Sequence, residues 1–475
     1  MITFMINLFR IINVCLIIRL IFYKKKDPIL LLAWSLFLLF IPVIGFIIYL
    51  LVERRPKPFK KIQELDEFER SLITTYHEEF DATITSNQYP LIKQYESLVR
   101  FNRNYNKCIL TSYNELDLYV DAKEKYDQLF EDIKQAKHSI HVIYFIIRND
   151  HSGLKFLELL TQKASEGVSV RLIYDSGGCL TTPKRIFNEL KEAGGQVYNF
   201  HAPFLKLLWL NFNYRNHRKI VVIDGAIGYL GGMNIGDEYC SLNPKRKPWR
   251  DAHLRITGQS VALLQLRFLR DYLTTNKDKM EHRLVLEQLT HYFGPVQTNH
   301  FCSVQIVSDG PDTDTDDIKA SFIKMIFSAK ASIFIQTPYF IPDRNFLDAL
   351  KTAAYSGIKV TVMIPTIADN HFVYRTTTSY VKELTEANIT VYLYKGFLHS
   401  KIIVVDDQIC TIGSTNIDNR SFKINYEINA FIYDDSFTTE VCKRIRNDMK
   451  NCKLVDDKYH NSKTIVVRGE ESLYR

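Results

Sequence analysis

The stretch that decides the fold is His217-Arg-Lys219-Ile-Val-Val-Ile-Asp224, because the chain contains it again as His399-Ser-Lys401-Ile-Ile-Val-Val-Asp406. A Gly-x-x-Asn sequence follows each copy and ends at Asn234 or Asn416. Both copies fit H-x-K-x4-D-x6-G-x-x-N, and each residue of the second lies 182 positions after its counterpart. A single His-x-Lys carries little information, whereas two copies in one register indicate an internal duplication.

The segments that precede the two motifs repeat as well. In the first half we predict helix 121–136, strand 139–147, helix 153–166 and strand 168–174. In the second half we predict helix 317–331, strand 332–336, helix 345–356 and strand 358–364. Gly167 and Gly357 stand where a glycine commonly ends a helix. Alternating helices and strands predict an α/β protein with two similar sandwich halves, residues 116–295 and 296–455.

Each motif is predicted to form a buried strand, because a β-branched apolar run follows its lysine. The histidine and lysine are two residues apart, so both side chains project from the same face of the strand. The glycines that follow predict a tight return that brings Asn234 or Asn416 back beside the histidine. Two halves that face each other would then form one active site.

Two histidines in one site suit a two-step displacement at phosphorus. One neutral imidazole attacks and forms a phospho-enzyme, while the other gives its proton to the leaving oxygen and later accepts one from the incoming alcohol. The two lysines and two amides suit the phosphoryl oxygens, whose charge is redistributed in the transition state. Because these cations take the place of a metal ion, we expect neither a metal nor another cofactor.

Each imidazole also needs a partner at its other nitrogen to fix its tautomer. The candidates are Asp251, 34 residues after His217, and Glu427, 28 residues after His399. Both stand on predicted strands beyond a motif, so we expect each carboxylate to return to the histidine of its own half. A solvent-facing acid is the alternative for either one.

The aspartates of the two motifs have a different expected role. Asp224 and Asp406 stand at the ends of the predicted motif strands. We expect them to hold the local turn rather than to contact a substrate.

Residues 1–57 are predicted to be a helical membrane anchor. The run 29–52 contains 24 residues without a charge, and as one helix it would extend about 36 Å, enough to cross a bilayer core of about 30 Å. Trp34 and Tyr49 lie toward its ends, where aromatic belts form, and membrane helices tolerate Pro42. A buried helix of a soluble protein is the alternative.

Residues 1–23 are mostly apolar but carry Arg10 and Arg19, and they suit either a second span or a helix in the membrane interface. No small-residue cleavage site follows them, so we do not expect a signal peptide that is removed. Five basic residues lie within 54–61 and three within 24–26. Because the more basic flank stays inside, we expect the catalytic region in the cytoplasm. Residues 58–115 are predicted to be a polar connector, and 456–475 a polar C-terminal tail.

The composition describes a globular protein, with 46% hydrophobic and 24% charged residues among 475. A net charge of +8 suits an anionic partner, either a phospholipid headgroup or a nucleic acid. Eight cysteines are far apart and include no C-x-x-C pair, which predicts free thiols rather than a zinc site or disulfides. The apolar stretch 205–212 suits either the protein core or a surface segment that dips into the bilayer. The basic stretch 245–250 suits either contact with anionic headgroups or a solvent-exposed loop.

The paired H-x-K-x4-D motifs resemble the phospholipase D superfamily, and more closely its bacterial cardiolipin synthases. Further matching stretches are Lys26-Asp27-Pro28, Asn213-Tyr-Arg-Asn-His-Arg-Lys219, Gly232-Met-Asn-Ile-Gly-Asp-Glu-Tyr239, Gln336-Thr-Pro-Tyr-Phe-Ile-Pro342 and Asn416-Ile-Asp-Asn-Arg-Ser-Phe422. The resemblance implies transfer of a phosphatidyl group between two phosphatidylglycerol molecules at the cell membrane, giving cardiolipin and glycerol.

The resemblance also implies a set of active-site residues, namely His217, Lys219, Asp224, His399, Lys401 and Asp406. Within this set, it assigns nucleophilic attack to His217 and acid and base catalysis to His399. One departure is the polar segment 456–475, since these synthases are expected to end in an apolar segment.

Two other functions compete with this interpretation. A hydrolase of the same superfamily would act on phospholipid or nucleic acid with water as acceptor, and a catalytically inactive scaffold would only bind lipid. The predicted anchor favours lipid, so we do not expect nucleic acid as a partner. The intact duplicate motifs argue against the scaffold, because binding alone does not need two histidines at identical offsets.

Overall fold

The computed structural model describes residues 2–23, 28–52, 62–85, 89–200, 213–240, 249–313, 315–367 and 370–475. The stretch 205–212 and residues 245–248 of the basic stretch lie outside these ranges. The chain divides into two compact units. One comprises residues 1–58 with 201–214, and the other comprises residues 59–200 with 215–475.

The described residues of the smaller unit form the helices α1 (Ile2–Tyr23), α2 (Pro28–Phe40) and α3 (Pro42–Val52). The run 29–52, predicted as one continuous helix, is therefore divided, and that prediction is wrong. Pro42 has no N–H to donate to the Leu38 carbonyl, and its ring obstructs a continuing helix. The rings of Trp34 and Tyr49 lie 5.3 Å apart, so the chain folds back between α2 and α3. No helix in the described part of the chain combines the length and apolar character needed to cross a membrane.

The larger unit begins with α4 (Gln63–Thr85), α5 (Pro90–Gln94), α6 (Glu96–Asn106) and β1 (Leu110–Tyr119). Where it is described, the predicted connector 58–115 is packed into this unit. Leu98 and Val99 of α6 are fully buried in the same apolar cluster as Ile333 and Phe346 of the second half. The reason is the strong amphipathicity of α6, which gathers its few apolar residues on one face.

The first half continues with a helix–strand alternation and then a run of strands. Its elements are α7 (Ala122–Gln135), β2 (Ser139–Tyr144), α8 (His151–Ser165), β3 (Ser169–Asp175), α9 (Asn188–Glu192), β4 (Gln196–Phe200), β5 (Arg215–Asn216), β6 (Ile220–Ile223), β7 (Ile227–Gly231), β8 (Trp249–Arg250), β9 (His253–Gly258), α10 (Ser260–Thr275) and α11 (Lys279–Glu287). Short 3-10 helices cover Lys184–Phe187 and Leu289–Tyr292.

The second half repeats this pattern and ends in two further helices. Its elements are β10 (Phe301–Asp309), α12 (Asp317–Phe327), β11 (Ser332–Gln336), β12 (Phe340–Ile341), α13 (Arg344–Tyr355), β13 (Lys359–Pro365), α14 (His371–Ser379), α15 (Val381–Glu386), β14 (Thr390–Tyr394), β15 (Phe397–Leu398), β16 (Ile402–Val405), β17 (Ile409–Gly413), β18 (Ile417–Asp418), α16 (Asn419–Lys423), β19 (Asn425–Tyr433), α17 (Asp435–Met449), β20 (Cys452–Leu454), α18 (Asp457–Ser462) and α19 (Ile465–Tyr474).

One mixed sheet runs through both halves with the same strand order in each. The first half runs β4-β3-β2-β6-β7-β9-β1, and the second runs β14-β13-β11-β16-β17-β19-β10, with β20 beyond β14. The antiparallel pair β1–β10, with Leu110 opposite Gln305, joins the two halves. This architecture confirms the predicted α/β fold of two similar halves.

The C-terminal segment differs from the predicted polar tail. Helix α19 packs against α14, where Glu470 pairs with Arg375 at 2.9 Å and the Tyr474 ring lies 5.1 Å from the Phe372 ring. Residues 456–475 thus form folded helices within the larger unit. Their polar residues are used in ion pairs with the second half, a role that composition does not reveal.

Candidate active site

Both motif histidines are attached through their backbone to a strand of the other half. Strand β5 pairs in parallel with β19, and the N–H of His217 donates to the Tyr426 carbonyl at 2.9 Å. Strand β15 pairs in the same way with β8, and the N–H of His399 donates to the Arg250 carbonyl at 2.7 Å. The two attachments are equivalent, so the duplicated halves exchange short strands at the site.

This exchange decides which carboxylate reaches which imidazole. Glu427 follows Tyr426, and both of its carboxylate oxygens lie 3.0 Å from Nδ1 of His217. Asp251 follows Arg250, and its Oδ2 lies 2.6 Å from Nδ1 of His399. The sequence interpretation named both carboxylates, but its pairing within each half was wrong. The pairing is crossed because the strand after each motif lies against the opposite histidine.

The His217 pair is almost completely shielded from solvent. Burial lowers the pKa of His217 to about 4, although the charge of Glu427 acts in the opposite direction. Burial alone would raise the pKa of Glu427, but the His217 and Lys219 charges and hydrogen bonds from His217 and Ser414 hold it below its usual value. The imidazole is therefore neutral and the carboxylate ionised near pH 7.

The His399 pair is held in an aromatic surround. The Trp249 ring lies 5.1 Å from the imidazole, and Phe397 stacks on it at 5.9 Å. Burial alone would raise the pKa of Asp251, but the Lys401 and His399 charges, with the hydrogen bond from His399, lower it. Asp251 is therefore an ionised carboxylate that accepts the hydrogen bond of His399.

A lysine stands beside each histidine. Nζ of Lys219 donates to the His217 carbonyl at 2.6 Å and lies 5.4 Å from the centre of the Phe145 ring. Nζ of Lys401 lies 2.8 Å from Nδ1 of His399. Burial lowers the pKa of Lys219 to about 7, against the opposing charge of Glu427. A bound anionic phosphate would favour the charged ammonium.

The motif aspartates act on backbone. Asp224 accepts N–H bonds from Lys137, His138 and Ser139 at 2.7–2.9 Å. Asp406 accepts the equivalent bonds from residues 330, 331 and 332, at 2.9, 2.7 and 2.9 Å. Both residues have positive φ angles, 52° and 56°, a conformation that aspartate tolerates. The geometry agrees with the expected role of holding a turn, because these bonds join each carboxylate to backbone N–H groups and not to an imidazole.

The two motif asparagines are buried but differ in their bonding. Oδ1 of Asn234 accepts the Ile146 N–H at 3.2 Å, and its Nδ2 donates to the Tyr239 hydroxyl at 3.2 Å. Oδ1 of Asn416 has no hydrogen-bond partner among the described residues, although the side chain is only 4% exposed. A buried acceptor of this kind is costly unless a ligand satisfies it.

Two supporting residues were missed by the sequence interpretation, although they occupy the same position of the repeat. Ser414 donates its hydroxyl to Oε2 of Glu427 at 2.5 Å. Its counterpart Gly232 leaves room for Asp251, because a Cβ there would lie 2.9 Å from the Asp251 Cγ. The sequence feature that could have identified both residues is the second position of each Gly-x-x-Asn sequence, which is Gly232 in one copy and Ser414 in the other.

A buried arginine supports each pair from behind. Arg218 donates to the Glu427 carbonyl at 3.1 Å and pairs with Asp271 at 2.8 Å. Arg250, which precedes Asp251, pairs with Asp448 at 2.7 Å. Only tertiary structure identifies these residues, because their partners lie far along the chain.

Two crossed imidazole–carboxylate pairs, each beside a lysine, define a two-half phosphoryl-transfer enzyme of the phospholipase D type. A family model described as "Cardiolipin synthase, PLD-like domain" matches residues 129–244 and 322–452. The chain belongs to this family, which confirms the family expected from the motifs. A second model, described as "Phospholipase_D-nuclease N-terminal", matches residues 11–54.

Similar proteins extend over the whole chain. The "Major cardiolipin synthase ClsA" of Bacillus subtilis is 41% identical and aligns with 99% of this chain and 98% of its own length. A "Cardiolipin synthase" of Listeria monocytogenes is 37% identical over 100% of this chain and 98% of its own. The crystal structure of a phosphatidylserine synthase from Haemophilus influenzae shares the fold, with a TM-score of 0.59 at 16% identity over 80% of this chain and 97% of that one.

Proposed function

We propose that the chain is a cardiolipin synthase that transfers a phosphatidyl group from one phosphatidylglycerol to another and releases glycerol. The observation that carries the proposal is the pair of crossed contacts, His217 with Glu427 and His399 with Asp251. Each carboxylate accepts the Nδ1 proton of its imidazole and leaves Nε2 for chemistry. The site thus contains two imidazoles, each with a carboxylate at Nδ1 and a lysine beside it.

In the first step, Nε2 of His217 attacks the phosphorus of the donor phosphatidylglycerol. A P–N bond forms, the bond from phosphorus to the glycerol oxygen breaks, and that oxygen takes the proton of His399 as glycerol leaves. Glu427 stabilises the positive charge that develops on His217. The low pKa of His217, about 4, keeps this imidazole neutral and able to attack.

In the second step, the now neutral His399 takes the proton of a hydroxyl group on the acceptor phosphatidylglycerol. The acceptor oxygen attacks phosphorus, the P–N bond breaks, and cardiolipin leaves with His217 restored. Asp251 stabilises the imidazolium of His399 that forms again. Each proton and bond is accounted for between the two histidines and the two lipids.

The remaining motif residues suit the substrate. Lys219 and Lys401 stand beside their histidines and can neutralise the phosphoryl oxygens as charge develops. The unpartnered Oδ1 of Asn416 suits a hydroxyl of the glycerol headgroup. On the strength of the repeat, the Nδ2 groups of Asn416 and Asn234 are both proposed to donate to the phosphate of the substrate.

The proposal includes attachment to the cell membrane with the larger unit in the cytoplasm. It is supported by the apolar run 29–52, by the match of residues 11–54 to the N-terminal family model, and by the basic residues that flank the run. A membrane position gives the enzyme access to substrates that do not leave the bilayer.

The test is incubation of the purified full chain in detergent with phosphatidylglycerol labelled in both its acyl and glycerol parts. Cardiolipin and free glycerol in equal amounts would support the proposal. Phosphatidic acid would show hydrolysis, and unchanged lipid would show a binding protein. His217→Ala and His399→Ala should both abolish cardiolipin formation, with the exposed His371→Ala as a control that retains it.

A further inference from the structure

The turn between α2 and α3 is hydrogen-bonded by a side chain of α1. In a continuous helix the Leu38 carbonyl would accept a hydrogen bond from the N–H of residue 42, but Pro42 has no N–H. Nδ2 of Asn13, a residue of α1 that is 1% exposed, donates to the Leu38 carbonyl at 2.8 Å and to the Pro42 carbonyl at 2.9 Å. A polar side chain from a second helix therefore bonds to the Leu38 carbonyl, which the break leaves without a helical donor, and to the Pro42 carbonyl at the start of α3.

Two backbone hydrogen bonds also lie at the turn. The Ile41 N–H donates to the Phe37 carbonyl at 3.0 Å, and the Gly45 N–H donates to the Ile41 carbonyl at 2.7 Å. Gly45 allows a close approach, because a Cβ there would lie 2.9 Å from the Phe37 oxygen. In the hydrocarbon core of a bilayer there is no water to bond to backbone N–H and carbonyl groups, so hydrogen bonds within the protein stabilise a broken helix there.

The exposed surfaces of α2 and α3 are apolar along the length of both helices. Residues 28–52 contain no charge, and large apolar side chains are exposed on both helices: Leu30, Leu32, Leu36, Leu39, Phe40, Ile44, Ile47 and Leu50. Phe40 at the turn is 80% exposed. Water disfavours a continuous apolar surface of this kind, whereas acyl chains accept it.

The length of each arm and the flanking charges decide how the hairpin meets a bilayer. Helix α2 has 13 residues, and a helix of that length extends about 20 Å, short of the bilayer core of about 30 Å. A straight helix would hold Trp34 and Tyr49 about 22 Å apart, yet their rings are 5.3 Å apart. The basic groups within 24–26 and 54–61 flank both ends, and the positive-inside rule favours one side for both.

We propose that residues 28–52 are a re-entrant helical hairpin that enters and leaves the membrane on the same face, with its Ile41–Pro42 turn in the acyl region. Asn13 of α1 closes the hydrogen bonds of that turn. The inference rests on the membrane attachment proposed above and replaces the single crossing predicted for 29–52. Both basic groups then lie on the cytoplasmic side.

Cysteine labelling of vesicles tests the topology. In a background with Cys15→Ser and Cys452→Ser, we would label Lys26→Cys and Lys57→Cys with a membrane-impermeant maleimide in inside-out and right-side-out vesicles. Lys123→Cys, on the exposed face of α7, marks the side of the larger unit. Labelling of positions 26 and 57 in the same vesicle orientation supports the hairpin. Labelling in opposite orientations overturns it but leaves membrane attachment intact, whereas release of the chain by a carbonate wash overturns the attachment itself.

A distance measurement gives an independent test. Nitroxide labels at Leu30→Cys and Leu50→Cys should lie less than about 20 Å apart in a hairpin, whereas one helix would separate them by about 30 Å. Asn13→Leu should broaden this distance distribution, and Asn7→Leu on the exposed side of the same helix should not. A separation near 30 Å would overturn the hairpin, and an unchanged distribution in Asn13→Leu would overturn the role given to that residue.

Discussion

Glu427 accepts a hydrogen bond from His217 at 3.0 Å, although the two residues are 210 positions apart and belong to different halves of the duplicated sheet. The reciprocal contact, from His399 to Asp251, is 2.6 Å long. Neither motif histidine therefore takes its carboxylate partner from its own half. The active site exists only when both halves are folded against each other. Strand β5 of the first half then pairs with β19 of the second, and β15 of the second half pairs with β8 of the first.

The first prediction concerns the carboxylate behind the nucleophile. In Glu427→Gln the amide can donate to Nδ1 of His217, which would place the imidazole proton on Nε2 and block attack. We expect phospho-enzyme formation in a single turnover to slow by about 10³-fold or more, the scale seen when a carboxylate behind a catalytic histidine is replaced by an amide. Glu440→Gln on an exposed helix face is the control. An unimpaired rate in Glu427→Gln would refute the crossed pair as a functional unit.

The second prediction uses Ser414 and Gly232, which occupy equivalent positions of the two repeats. Ser414→Ala removes a hydrogen bond to the ionised Glu427, and hydrogen bonds to charged groups contribute about 1.5–3 kcal/mol. We expect the rate of phospho-enzyme formation to fall by roughly tenfold to a hundredfold, because 1.4 kcal/mol corresponds to tenfold. At the equivalent position, Gly232→Ala should displace Asp251 and slow the transfer to the acceptor. Equal effects of Ser414→Ala on both half-reactions would argue against its specific action through Glu427.

The third prediction is a pH profile. Protonated His217 cannot attack, so its low pKa of about 4 moves the acid limb of kcat/KM well below the ordinary histidine value of about 6.5. Lys219, with a pKa of about 7 in the free enzyme, loses its positive charge as the pH rises, so kcat/KM should decline on the alkaline side of that value. Measurement in mixed micelles at constant ionic strength checks both limbs. An acid limb near pH 6.5 would contradict a buried neutral nucleophile.

The fourth prediction separates structure from chemistry at the motif aspartates. Asp406→Ala removes the acceptor for three backbone N–H groups and places alanine at a positive φ of 56°. The free energy of unfolding should fall by about 2 kcal/mol or more. Asp406→Asn, which tolerates this backbone conformation, should keep most of the activity. Thermal unfolding in detergent measures the effect. If Asp406→Ala were as stable as the parent but inactive, the residue would belong to the chemistry after all.

The fifth prediction concerns metals. Because Lys219 and Lys401 supply the positive charge beside the reacting phosphate, activity should persist after treatment with EDTA and removal of the chelator. The assay is cardiolipin formation before and after treatment, and Mg²⁺ should not be needed to restore it. Loss of activity that returns with a divalent cation would disprove the mechanism in which the lysines take the role of a metal.

Much of the fold followed from local patterns. The helix predicted for 121–136 is α7, which begins after its N-cap Asp121, and the motif strands are β6 and β16. These succeed because helix and strand periodicities report burial within a few residues. The packing of α6 could not be predicted, since its apolar residues are few and only the neighbouring second half reveals that they are buried. The helix break at Pro42 was underestimated because a proline can either kink a helix or end it.

The sequence by itself determined the duplication, the α/β class, the residue types of the site and, through its motifs, the family. Tertiary structure alone decided that Glu427 serves His217, that Asp251 serves His399, and that Asn13 closes the turn before Pro42. The physical reason is that periodicity and motif spacing describe contacts a few residues apart. Strand exchange between halves, and a side chain that replaces a missing N–H, depend on segments that meet only when the whole chain has folded.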